Sequence, residues 1–322
     1  MDNREQLIFC NTIEDSKCYL QQFLNFFFLT IEKSTQYQPQ SEAEADCLML
    51  VQMMFARVNS FCKLLDGFDF HLDNVHLNRI IDPITIFSIT RNIYEALCSF
   101  ELVFVLPKTD DEKTIVYNTF VAAGLKERQG FSMNTDAAEA LKGKELQEWK
   151  EAEDAIHNTQ VYQKLTDKNK KNFDKIFNST HPVYRWHIDE TGMLKVVNWE
   201  EAYKLIGLRE GTFGSLYSFL SLHTHPTSVS LRQFRESFLK QEPAFVWLVC
   251  FACKIVSVLL SVYIADLGHN FDFVKRLFDE QEEHIQWMLD VQNKVFRGYS
   301  YVLSDFWKKA GTKGSIEVNG SV

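Results

Sequence analysis

Two clusters of residues in this sequence could carry chemistry. Tyr217, Ser221 and His225 fall four residues apart, so on a helix they would stack along one stripe, with His223 and Ser228 close by. Pro226 would end that helix and leave His225 at its C-terminal edge. There the macrodipole favours a protonated imidazole, able to hold an anion or pass a proton near neutral pH. Arg91 and Glu95 are also four apart, with Asn92 between them, in an otherwise apolar stretch. Charges in such a setting must be neutralised by each other or by something in a pocket. The expectation is one polar pocket between helices, with His225, Arg91 and Glu95 as its reactive groups and Tyr217, Ser221, Ser228, His223 and Asn92 as ligand contacts. The blander readings are that His225 caps the last carbonyls, Tyr217 packs, and Arg91 and Glu95 form a bridge that organises the core.

Other motifs carry less. His223-x-His225 would need acidic partners from Glu95, Glu101, Asp154 with His157, or Glu280, Glu283 and His284, and none shows the Glu-x-x-His spacing of a helical di-iron site. Cys250 and Cys253 form a C-x-x-C without a second pair, inside the most apolar stretch, which fits two core cysteines better than zinc. No metal and no cofactor is therefore expected. Lys164, Lys168, Lys170, Lys171 and Lys175 could touch phosphate and Phe173 could stack, but Asp167 and Asp174 interrupt the run, as on a solvated helix face. A formal charge of −9 also disfavours RNA as a partner, because phosphate binding is driven by Lys and Arg. There is no glycine-rich phosphate loop and no G-x-S-x-G.

The elements that must position these groups read as helices. In 322 residues there are 27 Phe against 13 Gly and 6 Pro, which favours long packed helices over a loop-rich β fold. Apolar periodicity covers about Arg4 to Lys33; Ser41 and Glu44 have the form of a capping box for a helix ending at Gly67; a loop rich in Asp, Asn and His follows to Asp82. Asp82-Pro83 starts a helix that stops at Pro107, and Thr109 with Glu112 starts the next. Thr135 or Asn134 opens a long charged helix through Leu165, expected as a solvent-facing arm by which the chain could bind itself or another protein. Glu190-Thr-Gly192 between Trp186-His-Ile-Asp and Met193-Leu-Lys-Val-Val predicts a hairpin at about 185–197. Helices are expected again over Trp199 to Ile206, Thr212 to Leu222, Leu231 to Leu239, Pro243 to Leu267 and Asn270 to Arg297.

The resulting fold class is all-α, an irregular multi-helix bundle with at most one short β-hairpin. It is expected as a single helical domain over 1–309, or two fused halves at 1–178 and 179–309, with a disordered tail at 310–322. Ala244 to Ala265 is long enough to span a bilayer, but Lys254 near its middle favours a central buried helix over a membrane span. Seven irregularly spaced Cys and a polar, acidic start point to a reducing interior without a secretory signal, hence a cytoplasmic protein.

At its two polar clusters the sequence resembles the bacterial DUF5677 family of uncharacterised helical proteins. The matching marks are Arg91-x-x-x-Glu95 on an apolar helix and, beyond a Trp-containing linker, Tyr217-x-x-x-Ser221-x-x-x-His225 followed by Ser228, within about Leu48 to Leu267. The resemblance implies a helical core in which these residues converge, without an agreed activity. Such proteins also look distantly similar to the HEPN ribonucleases of toxin and phage-defence systems, which implies a stress or defence role. Arg91-Asn92 begins the HEPN pattern, but Ala96 stands where its His should be. A metal-independent ribonuclease would then need an imidazole from elsewhere, such as His225.

Overall fold

The computed structural model describes residues 11–131, 135–240 and 243–311. Side chains start most of the helices by accepting from N–H groups that the first turn leaves free. Thr12 accepts from the Asp15 N–H at 3.0 Å and opens α1 (Ile13–Ser34). The expected start at Arg4 lies outside the described residues, and positions 11 and 12 are already non-helical. Ser41 caps α2 (Glu42–Leu64) through the Glu44 N–H. Glu44 does not return to Ser41 as a capping box would; its carboxylate accepts from the Gln40 N–H at 2.7 Å and the Tyr37 hydroxyl at 2.9 Å.

The stretch after Gly67 corrects the sequence reading. It is a hairpin of β1 (Phe68–Leu72) and β2 (Val75–Ile80), antiparallel, with Leu72 opposite Val75, so Asp73 and Asn74 make a two-residue turn. Asp73 has φ 50, the left-handed backbone that such turns require and that Asp tolerates. The Asp, Asn and His content hides the alternation of Phe68, Phe70 and Leu72, all three more than half exposed. Among the described residues there are therefore two hairpins, the second being β3 (Trp186–Ile188) with β4 (Leu194–Val196) where the glycine turn predicts it.

Asp82 caps α3 (Pro83–Phe100), accepting from the Ile84 N–H at 3.0 Å, and a π-helical turn over Glu101–Val105 carries the chain to Pro107. The complete Thr109–Glu112 capping box starts α4 (Asp110–Gln129), and Thr135 caps α5 (Asp136–His157). The single helix expected through Leu165 is interrupted, with a short α6 (Gln160–Gln163) before α7 (Asp167–Phe177). After β4 come α8 (Trp199–Leu205), α9 (Glu210–Phe213), α10 (Leu216–Thr224), α11 (Ser228–Lys240) and α12 (Pro243–Asn270). The expected Asn270–Arg297 helix is two, α13 (Asp272–Asp279) and α14 (Glu283–Phe296), followed by α15 (Leu303–Gly311). Among the described residues the molecule is an all-α bundle with two small hairpins; of the tail expected at 310–322, residues 310 and 311 belong to α15 and the rest lies outside them.

The chain divides into two compact units, Met1–Leu97 with Ile206–Val322, and Cys98–Leu205. The first is organised around α12, against which α1, α13, α14 and α15 pack. Val249, Val256, Leu259, Leu260 and Val262 are fully buried, and the Phe27 and Tyr263 rings meet at 5.5 Å. Each such side chain contributes about 1.5–3 kcal/mol by leaving water. Among the described residues two helices, Glu42–Leu64 and Phe245–Asn270, are long and apolar enough to cross a membrane. In the second of them Ser261 donates to the Leu289 carbonyl at 2.9 Å and accepts from Asn293 at 2.8 Å, so this buried hydroxyl is satisfied by α14. Cys250 and Cys253 are buried in this core.

In the second unit α5 is not a solvent-facing arm. Its Trp149, Ala152 and Ile156 join Ile115 and Ala122 of α4, Phe173 and Phe177 of α7, and Trp186 of β3 in one core. Trp149 stacks on Phe177 at 5.5 Å, and Glu145, nearly sealed, pairs with Arg128 at 2.7 Å. An apolar residue every three or four positions suffices to dock a helix whose other faces are charged, which is why the overall charge misleads here. Phe173, offered above as a stacking platform, is 2% exposed and unavailable to a base.

Candidate functional site

Within the first unit α3 and α10 meet antiparallel through their side chains. Phe87, Arg91, Tyr94 and Glu95 lie on one face of α3, because helical residues three, four and seven apart share a face. Phe87 packs edge-on against Phe219 at 5.2 Å, and Tyr94 lies 6.0 Å from the Tyr217 ring. Between these aromatic contacts sits a closed set of polar bonds. Arg91 Nε donates to Glu95 Oε1 at 2.9 Å, Arg91 Nη2 donates to the Tyr217 hydroxyl at 2.7 Å, and that hydroxyl donates to the same Glu95 oxygen at 3.2 Å. The guanidinium also lies 4.8 Å from the Tyr217 ring centre, within reach of a cation–π contact.

The electrostatics follow from this geometry. Burial of the Tyr217 ring, helped by the negative charge of Glu95, raises the phenol above its ordinary range, so it stays protonated and keeps its donor. Burial works to lower Arg91, but the bond to Glu95 and the Tyr217 contact outweigh it and the guanidinium is held more firmly charged. The Arg91 and Glu95 side chains keep 22% and 25% of their surface exposed, so the cluster is half-open rather than sealed.

The remaining expected site residues go elsewhere. Ser221, one turn beyond Tyr217 on α10, has its hydroxyl oxygen buried with no hydrogen-bond partner among the described residues. His225 does not continue the stripe: α10 ends at Thr224, His225 turns to extended backbone (φ −112, ψ 149), and its side chain is exposed. The buried imidazole is His223, 3% exposed, whose Nδ1 lies 2.9 Å from the Phe219 carbonyl oxygen and Nε2 2.5 Å from Gln233 Oε1, with Phe87 and Phe219 against its ring. Asn92 and Ser228 are exposed. Of the expected pocket, Arg91, Glu95 and Tyr217 come together; His225 stays apart from their hydrogen bonds.

A family model for a family of unknown function, DUF5677, matches residues 75–242, a little over half of the chain. The chain belongs to the DUF5677 family. Among curated proteins and solved structures nothing matches. The DUF5677 match takes in α3, α10 and the whole Arg91–Glu95–Tyr217 cluster, whereas the buried pair of Arg297 and Asp266 lies beyond it.

Two further polar groupings were missed by the sequence reading. The Tyr162 hydroxyl donates to Asp174 at 2.9 Å, and the His157 ring lies 4.4 Å from that of Tyr162, tying α5, α6 and α7 together. Across the first hairpin, His71 and His76 face each other. The second could have been found, since a two-residue Asp-Asn turn places residues five apart, as these are, directly opposite across a hairpin. Among the described residues no three His, Cys, Asp or Glu side chains gather as a metal-ligand set.

Proposed function

We propose that this DUF5677 protein binds a small polar ligand at the open side of the Arg91–Glu95–Tyr217 cluster, in a ligand-recognition or regulatory role. The observation that carries this reading is incomplete closure: a cation, an anion and a protonated phenol are fixed relative to one another by three hydrogen bonds, yet retain access to solvent. Fixed, partly exposed polar groups on apolar helices are what orient a ligand. The Ser221 hydroxyl on the same helix adds a buried group with no hydrogen-bond partner among the described residues. Since Arg91 and Glu95 cancel, the cluster suits an amide, a hydroxyl or a zwitterion better than a polyanion.

The same neutrality weighs against RNA cleavage. Arg91 is already held by Glu95 and Tyr217, Ala96 offers no imidazole, and no observation joins His225 to the cluster. Thermal unfolding in the presence of a panel of free amino acids and small carboxamides tests the proposal. At least one compound is expected to raise the melting temperature of the wild-type protein and to lose that effect in Tyr217→Phe and Glu95→Gln. Equal shifts in all three proteins would put the ligand elsewhere and end this reading.

A further inference from the structure

We infer that the first hairpin holds a divalent transition-metal ion between His71 and His76, of the class that prefers square-planar nitrogen donors, copper(II) first and nickel(II) after it. The two residues are direct partners in the β1–β2 register, next to the Leu72–Val75 pair that closes the turn. Their Nδ1 atoms lie 2.6 Å apart, with the rings 4.8 Å between centroids and 63° between planes. Both side chains are exposed, so an ion has access and the other coordination positions are open to water.

The separation selects the ion. With metal–nitrogen bonds of about 2.0 Å, two nitrogens at the 90° of a square plane lie about 2.8 Å apart, whereas at a tetrahedral angle they lie about 3.3 Å apart. The observed 2.6 Å is close to the first and needs a larger opening for the second. Without metal, one proton lies between the two Nδ1 atoms, carried by one ring and accepted by the other. Binding puts both rings in the tautomer protonated at Nε2, with both Nδ1 lone pairs on the ion; the donor ring's proton moves through solvent from its Nδ1 to its Nε2, so no net proton is released. Imidazole suits copper, nickel and zinc alike, and copper(II) stands highest in the general order of affinity, so order and geometry agree. The ion then joins β1 to β2 beside their turn, a staple for a two-stranded sheet that would otherwise be marginal by itself.

Copper(II) added to the full-length protein, followed by electron paramagnetic resonance and calorimetry, tests this. The wild-type protein is expected to show a square-planar signal with two imidazole nitrogens. His71→Asn and His76→Asn should each weaken that site by more than about tenfold, since even residues that only hydrogen-bond to a metal's ligands are worth ten- to a hundredfold. Both positions are exposed, so circular dichroism and the melting temperature without metal should match the wild type and separate loss of the site from loss of the fold. Zinc(II) in the same titration should bind more weakly than copper(II). Undiminished copper binding in either variant, no two-nitrogen signal in the wild type, or tighter zinc than copper binding would each overturn the assignment.

Discussion

Two arginines in the same compact unit meet the same chemical parts, a carboxylate and a tyrosine ring, and end in opposite states. Arg297 lies with Nη1 2.8 Å from Asp266 Oδ2 and its guanidinium carbon 3.9 Å from the Tyr301 ring centre; 4% of the arginine and 1% of the aspartate side chain is exposed. Arg91 has Glu95 and Tyr217 at comparable distances but remains about one-quarter exposed. The sealed pair meets charge to charge without an aligned hydrogen bond between the two side chains, and Arg297 spends its Nε–H on the Ile206 carbonyl at 3.0 Å. There is no room around it: a side chain at Gly207, where φ is +80, would strike Tyr301, and one at Gly268 would meet the Trp307 ring at 2.6 Å. Similar chemistry is thus sealed where neighbours close over it and reachable by solvent where they do not.

The largest way to break this comparison is at Arg297. Arg297→Met leaves the Asp266 carboxylate buried and unpaired, and should cost about 3–5 kcal/mol, read as a lower midpoint in urea unfolding. Arg91→Met should cost about 1 kcal/mol or less in the same measurement, because water can solvate the Glu95 carboxylate left behind. Equal losses from both substitutions would mean that the Arg91 cluster is as sealed as the other.

A smaller effect sharpens the contrast through Tyr217. Its phenol is raised by burial first and by Glu95 second, so folding favours the protonated form. That contribution is complete below the ordinary phenol range near pH 10 and is lost as pH rises through the raised value. Phenolate absorbance, taken as the difference between wild type and Tyr217→Phe, should show late ionisation that moves toward the ordinary range in Glu95→Gln. An unmoved titration would remove Glu95 from contact with the phenol.

Local chemistry was legible in the sequence wherever a few adjacent residues decide the outcome. Thr109 with Glu112, Asp82 with Pro83, and the Gly192 turn each carry their own instruction, and the run around Val256 declares a buried helix. The Arg91–Glu95 pair was legible too, as a spacing of four, but its partner Tyr217 lies 126 positions away and no local rule joins them. His225 was misplaced by counting in fours up to the residue before Pro226: that residue is pushed out of helical geometry, so the stripe had to end one position earlier. His223 was expected as a ligand contact, and its burial was not legible because the aromatic side chains that bury it come partly from α3. The β1–β2 hairpin was hidden by its polar residues, and the docking of α5 by its charges.

Native labelling of arginines with phenylglyoxal, read by peptide mass spectrometry, tests the contrast between the two sites most directly. Arg91 should be modified in the folded protein while Arg297 stays unmodified until the protein is unfolded. Protection of Arg91 to the same degree as Arg297 would contradict an open polar cluster, and with it the proposed binding site.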